Sequence, residues 1–401
     1  MTTELTWTTR DATTLTDPYP AYQQLRHEAP WFDHPDGYTV VSRHADVMAL
    51  LADKAIGYED DPVAGVESRT GAGAFASNIG SWLLSMNDPR HAALRRLIGP
   101  AFMPRKVELL RERTKTIVSE AFDALESAGK GEGLQDLAFE VPSRVICQLM
   151  GISAEERPRL AALTADVAAV LFEATPTPEM VAAANAAVAE IDTFFEAQVE
   201  ARRARPGDDL ISTMVQVADG SDDVTEYELL ANVHFMYGAG YEETHCFIAS
   251  GIFHLLTNPD LVTRLRTDDD GGAAVQQELL RYDTPLQSTL RTVREACEVN
   301  GHALAAGQSL QLLLGSANRD ELAFPDPDRL IVDRPAEPRI ASFGGGNHHC
   351  AGHPLARMVS MEVFQELVRR PIHLGVPAEA IAWRPGNVYR CLQSLPLSTT
   401  R

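Results

Sequence analysis

The stretch FGGGNHHCAGHPLAR, Phe343 to Arg357, limits what this chain can fold into more than any other feature. Gly344, Gly345 and Gly346 permit backbone conformations and close approaches that a Cβ forbids. Leu355, Val359, Val363 and Leu367 then recur at four-residue spacing, one face of a helix that ends before Pro371. Pro354 falls early in that helix, where a missing N–H costs little. Cys350 is thus predicted to lie between a glycine loop and a helix N-terminus, whose dipole and N–H groups favour a thiolate.

The rest of the chain agrees with a large soluble protein. Its 401 residues, 45% of them hydrophobic, are enough for a sizeable core. With 35 basic and 56 acidic residues the net charge is −21, which argues against nucleic acid or an anionic membrane surface as the main partner. No apolar run is long enough to span a bilayer, and MTTELTWTTRDATTL lacks the basic-then-apolar pattern of a signal peptide, so a cytoplasmic location is expected. Cys147, Cys246, Cys297, Cys350 and Cys391 form no CxxC pair, which argues against a disulfide framework and a zinc cluster. All but Cys350 read as buried small hydrophobes.

The hydrophobic pattern is mostly helical. DPYPAYQQLRHEAP reads as a helix stopped by proline, and GYTVVSRHADVMALLAD as a strand and then a helix. Glu59 to Gly80, rich in Gly, Ser, Ala and Asp, reads as a long loop. Helical periodicity dominates from Pro89 to Leu256, and Thr225 to Glu228 (TEYE) is a capping box opening one long helix towards Leu256. Strand signals return near Val299 to Leu314 and in the last thirty residues.

The cysteine loop resembles that of the cytochrome P450 family, in its soluble bacterial form. It matches FGxGxHxCxG through Phe343, Gly344, Gly346, His348, Cys350 and Gly352. DPYPAYQQLR, MNDPRHAALRRL, ELLR and ANRDELAFPDPDRLIVDR resemble further family segments in the same order along nearly the whole chain. The resemblance implies one P450-like domain over residues 1–401, mainly α with small β-sheets. It also implies haem b, with Cys350 as the axial thiolate that pushes electron density onto iron. Loop N–H groups would tune the sulfur, with Phe343, Gly344 and Gly352 shaping the cradle. His91, Arg95, Arg291 and His348 would bind the haem carboxylates, His91 and Arg95 sharing one helix face; taken singly, each could be an ordinary surface residue. Glu278 and Arg281 would form a buried structural pair with Arg334, the alternative being an exposed i,i+3 pair.

The distal helix departs from the family pattern of an acid followed by threonine. In YGAGYEETH, Glu242 is the acid and Glu243 stands where the first threonine is expected. Thr244 is rotated by about 100° around an ideal helix and does not replace the missing hydroxyl. In the family the threonine hydrogen-bonds the oxygen being activated, and the acid relays protons. A carboxylate at Glu243 could instead act as general base and then acid towards hydrogen peroxide, as expected of a peroxygenase. The competing readings are oxygen chemistry with water or substrate completing the relay, or Glu243 turned away to pair with His245.

The resemblance therefore implies an oxidoreductase inserting one oxygen atom into a small hydrophobic or aromatic substrate, by hydroxylation or oxidative O-demethylation. A loose likeness of TPLQSTLRT to demethylating relatives makes a methoxy-aromatic the leading substrate. The alternative is an oxygen- and ferredoxin-dependent monooxygenase of a terpenoid or natural-product intermediate; a non-catalytic haem-thiolate sensor is a further class. Candidate pocket segments run from Ser77 to Trp82, Ala168 to Thr175, His234 to Gly240 and Pro285 to Thr289, with Asn78 and Phe172 among their side chains. With oxygen as oxidant, a ferredoxin and its reductase would be partners, docking near Arg105, Lys106, Arg111, Arg113 and Lys115; with peroxide, none would be needed.

Overall fold

A computed structural model describes residues 12–171, 173, 175–267, 272–335, 338–386 and 388–399. They fall into two compact units along the chain. The first takes the residues up to Ile56, Glu112–Val141 and those from Glu243 onwards; the second takes Gly57–Arg111 and Pro142–Glu242.

The first unit holds the small sheets. The β-branched run in Tyr38–Val41 suits a pleated strand. It pairs antiparallel with Trp31–Asp33, Trp31 opposite Val41, and parallel with Ser309–Leu312, which Thr289–Val293 flanks antiparallel. Val41, Val293, Leu310 and Leu312 are buried against Val47 and Leu50 of the His44–Ala52 helix. A second sheet joins Lys130–Glu132, Pro396–Ser398 and His373–Leu374. The mainly α architecture with small sheets is as the sequence implied. No described helix is long and apolar enough to cross a membrane.

The second unit is helical, and several of its helices start on side-chain caps. Asp61, Thr177 and Asp209 each accept a backbone N–H at the head of Pro62–Thr70, Pro178–Ala204 and Leu210–Asp219. The Asp61 cap corrects one expectation. The stretch from Glu59 to Gly80 is no loop but two helices, Pro62–Thr70 and Ala74–Gly80. Its composition hid the Asp-Pro start signal, and Phe75 and Ile79 are buried.

A second correction concerns the distal helix. The capping box of Thr225 and Glu228 forms as expected, but the helix it opens runs only over Glu226–Ala239, and a new one spans Glu242–Thr257. Two glycines in three residues weaken the helix there. At Gly240 a Cβ would stand 2.4 Å from Ile146 Cδ1 and 2.8 Å from the Met236 carbonyl oxygen, so no side chain fits at the break.

Candidate active site

The cysteine loop lies in the first unit. Cys350 precedes the His353–Leu367 helix, which carries Pro354 in its first turn and buries Leu355, Val359, Val363 and Leu367 as their spacing predicts. The Cys350 amide donates to the Phe343 carbonyl at 3.0 Å, and the Gly344 amide to Ala341 at 2.8 Å, so the loop closes on itself. The Cys350 carbonyl in turn meets the His353 ring at 3.0 Å. Gly344 and Gly346 have φ of 67° and 60°, the left-handed region that favours glycine. Gly346 is doubly fixed, because a Cβ there would stand 2.1 Å from the Leu51 carbonyl oxygen. A half-buried thiol at a helix start, in a loop whose glycines present no side chains, fits a planar cofactor with one thiolate ligand.

The proposed carboxylate partners divide between the units. In the first, Arg291 is buried on the Thr289–Val293 strand and donates to Thr289 Oγ1 and the Leu290 carbonyl at 2.7 Å each. His348 closes the Gly346–His348 turn of the cysteine loop, two residues before Cys350. In the second, His91 and Arg95 lie on the Arg90–Ile98 helix. Burial pushes the His91 imidazole below its usual pKa; Asp88, at 3.4 Å, opposes this and the Arg95 charge adds to it. His91 and Arg95 thus share a face, as the spacing required.

Glu278 and Arg281 are buried, 3% and 1% exposed, which excludes the surface-pair reading. Arg281 donates to both Glu278 oxygens, at 2.8 and 2.7 Å, and Arg334 Nε reaches Glu278 Oε1 at 3.0 Å. Arg281 also donates to the carbonyls of Asn318, Pro327 and Arg329, binding the helix to the 318–334 segment. Its role is structural.

Glu243 is the second residue of the Glu242–Thr257 helix, and its Oε1 accepts a hydrogen bond from Tyr389 Oη at 3.0 Å. It does not turn to His245, whose two ring nitrogens have no hydrogen-bond partner among the described residues. Tyr389 is the residue that sequence reasoning missed. It lies in an irregular segment without periodicity, 146 residues from Glu243. Glu242, in the second unit, is half-buried beside Tyr241; burial pushes the Tyr241 phenol up, and the Glu242 charge adds to this.

The second unit also holds a polar cluster around Asn78, one of the residues expected to line a pocket. Asn78 donates to Asp192 Oδ1 at 2.7 Å and accepts from Trp82 Nε1 at 2.8 Å. Burial pushes Asp192 up to about 6, against the opposing hydrogen bond from Asn78. The His234 ring lies 5.8 Å from that of Trp82, and burial pushes it down to about 3. Asp192 carried no sequence signal, since nothing in a helical pattern shows which residue a distant asparagine will reach. Phe172 lies outside the described residues. The basic run is partly neutralised: Lys106 pairs with Asp208 at 3.1 Å, Arg111 with Glu108 at 2.7 Å and Lys115 with Glu112 at 2.8 Å. Arg105 and Arg113 are exposed.

Comparison with known proteins agrees with this geometry. The family model described as Cytochrome P450 matches residues 273–370, which include the buried Glu278–Arg281 pair and the cysteine loop. The cytochrome P450 monooxygenase PikC of Streptomyces venezuelae is 32% identical over 395 residues, covering 96% of this chain and 92% of its own. The nocardicin C N-oxygenase of Nocardia uniformis subsp. tsuyamanensis is 34% identical over 392 residues, covering 95% and 96%. The structure of P450BioI in complex with a hexadec-9Z-enoic acid ligated acyl carrier protein superposes with a TM-score of 0.88 at 28% identity, over 97% of this chain and 100% of that one. With relatives above 30% identity along nearly its whole length, and the thiol loop those relatives imply, this chain belongs to the cytochrome P450 family of haem-thiolate oxidoreductases.

Proposed function

We propose that this protein is an oxygen-dependent monooxygenase that inserts one oxygen atom into a natural-product intermediate, with haem b held by Cys350 and electrons from a ferredoxin and its reductase. The observation that carries this reading is the Cys350 loop, with Gly346 packed to the limit on Leu51, in a chain matched over 95–96% of its length by named oxygenases. That near-complete match also supports the two units serving one catalytic function. The relatives' names favour a natural-product substrate over the methoxy-aromatic suggested by the TPLQSTLRT stretch. A cytoplasmic setting, where reduced ferredoxin is at hand, belongs to the same reading.

Bound haem would supply thiolate-ligated iron for oxygen activation. This chain's own residues would do the rest. His91, Arg95, Arg291 and His348 would hold the carboxylates by charge-assisted bonds. Glu242 and Glu243 would hold and pass protons at the break in the distal helix, with the Tyr389 hydroxyl orienting Glu243.

The second reading, peroxide use, keeps one specific support: a carboxylate at the family's threonine position, hydrogen-bonded to a phenol. One experiment separates the two. Haem-loaded protein is supplied with substrate candidates and either NADPH, ferredoxin and reductase or hydrogen peroxide alone, alongside Glu243→Thr. Product that depends on the electron supply supports the oxygen reading. Comparable turnover by peroxide alone, lost in Glu243→Thr, would replace it with the peroxygenase reading.

A further inference from the structure

Three metal-binding side chains lie together in the first unit, none of them part of the cysteine loop. One nitrogen of His245 and the Sγ atoms of Cys246 and Cys391 all fall within 4.8 Å of one another. Cys246 and Cys391 are fully buried. His245 is partly exposed as a residue, but both ring nitrogens are shut off from solvent and have no hydrogen-bond partner among the described residues. A buried imidazole left in that state is costly, and such a group calls for an explanation. Its ring packs T-shaped against that of Phe139, with centroids 5.9 Å apart, a contact that gives neither nitrogen a hydrogen bond.

We propose that His245, Cys246 and Cys391 form a buried site for one thiophilic d10 cation, Zn2+ or Cu+. Tetrahedral zinc bonds of about 2.3 Å to sulfur and about 2.0–2.1 Å to nitrogen place the donors roughly 3.6–3.8 Å apart. Side-chain rotation of about an ångström therefore closes the site. Two thiolates and a neutral imidazole leave Zn2+ with no net charge, as a buried position requires. On Cu+ the same set carries one negative charge, and Arg384 acts electrostatically on His245 from nearby.

The spacing of these cysteines argued against a metal cluster, since His245 and Cys246 are adjacent and Cys391 is remote in sequence. Tertiary structure brings the third donor in. The site would also brace the proposed proton relay: His245 follows Glu243 by two residues and Cys391 follows Tyr389 by two, so the cation would tie together the two segments that the Glu243–Tyr389 bond joins. The assignment does not depend on which oxidant the enzyme uses.

The test uses haem-loaded protein, in which Cys350 is engaged, expressed with added zinc or copper and desalted. Elemental analysis should give about one Zn or one Cu per haem iron, and the metal found decides between the two. X-ray absorption at that metal's edge should show two sulfur neighbours and one nitrogen, joined by one further light-atom neighbour where the metal is Zn2+. Cys246→Ser, Cys391→Ser and His245→Gln should each lose at least most of that equivalent, while Cys147→Ser keeps it. Haem content certifies folding in each variant, and any one variant that retains haem suffices. Haem protein that takes up neither metal, metal retained in the folded variants, or a Cys246–Cys391 disulfide in the isolated protein would each overturn the assignment.

Discussion

The phenol of Tyr389 donates to Glu243 Oε1 at 3.0 Å, linking an irregular C-terminal segment to the start of the Glu242–Thr257 helix. The cysteine-loop resemblance implies a threonine where Glu243 stands, and this contact fixes how the Glu243 carboxyl sits there. Removing the phenol hydroxyl should therefore disturb proton delivery while leaving the fold intact. A hydrogen bond to a carboxylate contributes about 1.5–3 kcal/mol, or roughly ten- to hundredfold in a rate ratio. Tyr389→Phe is expected to lower product formed per oxidant consumed by about that factor, with haem content unchanged. Coupling measurements against wild type check this, and an unchanged ratio would remove Tyr389 from the relay.

Gly346 should tolerate no side chain. Its φ of 60° is unfavourable for L residues, and a Cβ would meet the Leu51 carbonyl oxygen at 2.1 Å. The left-handed conformation alone costs about 1–2 kcal/mol, and the clash adds to it by displacing backbone on both sides. Gly346→Ala is expected to give protein with much reduced haem content and a lower melting temperature. Gly37, also at positive φ, has nothing within 4 Å of where a Cβ would stand, so Gly37→Ala should bear only the conformational cost and keep its haem.

The buried Glu278–Arg281 pair should be far more sensitive than a surface pair. Truncating Glu278 leaves Arg281, 1% exposed, and Arg334 without their shared carboxylate. Breaking such a pair costs about 3–5 kcal/mol, against about 0.2–0.5 kcal/mol for an exposed i,i+3 pair. Denaturant unfolding of Glu278→Ala should show the larger loss, or the variant should fail to accumulate.

Two groups around the Asn78–Trp82 pair should give opposite pH effects. Asp192 is raised from 3.8 to about 6, so its folded form holds the proton more tightly than the unfolded chain does. Its stabilising contribution is full below about 3.8 and is lost as pH rises through about 6. Asp192→Asn should therefore melt higher than wild type at pH 7.5, with the advantage shrinking as pH falls from 6 towards 4.

His234 runs the other way. Its imidazole is lowered from 6.5 to about 3 by burial, so its contribution is full above 6.5 and is lost as pH falls towards 3. His234→Phe should flatten the acid limb of stability over that window. Melting temperatures across pH 3–8 for both variants check both signs.

Some of this was readable from local pattern. The His353–Leu367 helix, its buried face and the glycine loop before it follow from four-residue spacing and from the conformational freedom of glycine. The Thr225–Glu228 capping box was legible because its two partners are three residues apart. Where composition misled, a short-range signal was outvoted. Asp61-Pro62 starts a helix inside a stretch that looked like a loop, and Gly240 ends a helix that looked continuous. Cys297 was expected to be buried, yet it is half-exposed on the short Cys297–Val299 strand.

By itself, then, the sequence determined the helices that carry their own periodicity and caps, and the thiol loop whose residues are contiguous. These depend on interactions between neighbours, and a chain displays its neighbours directly. Only tertiary structure decided that Tyr389 meets Glu243, that Asp192 meets Asn78, and that Cys391 comes to His245 and Cys246. Each of those contacts joins residues far apart in sequence. Their pairing is set by how whole elements pack, a collective outcome of burial that no single stretch of residues encodes.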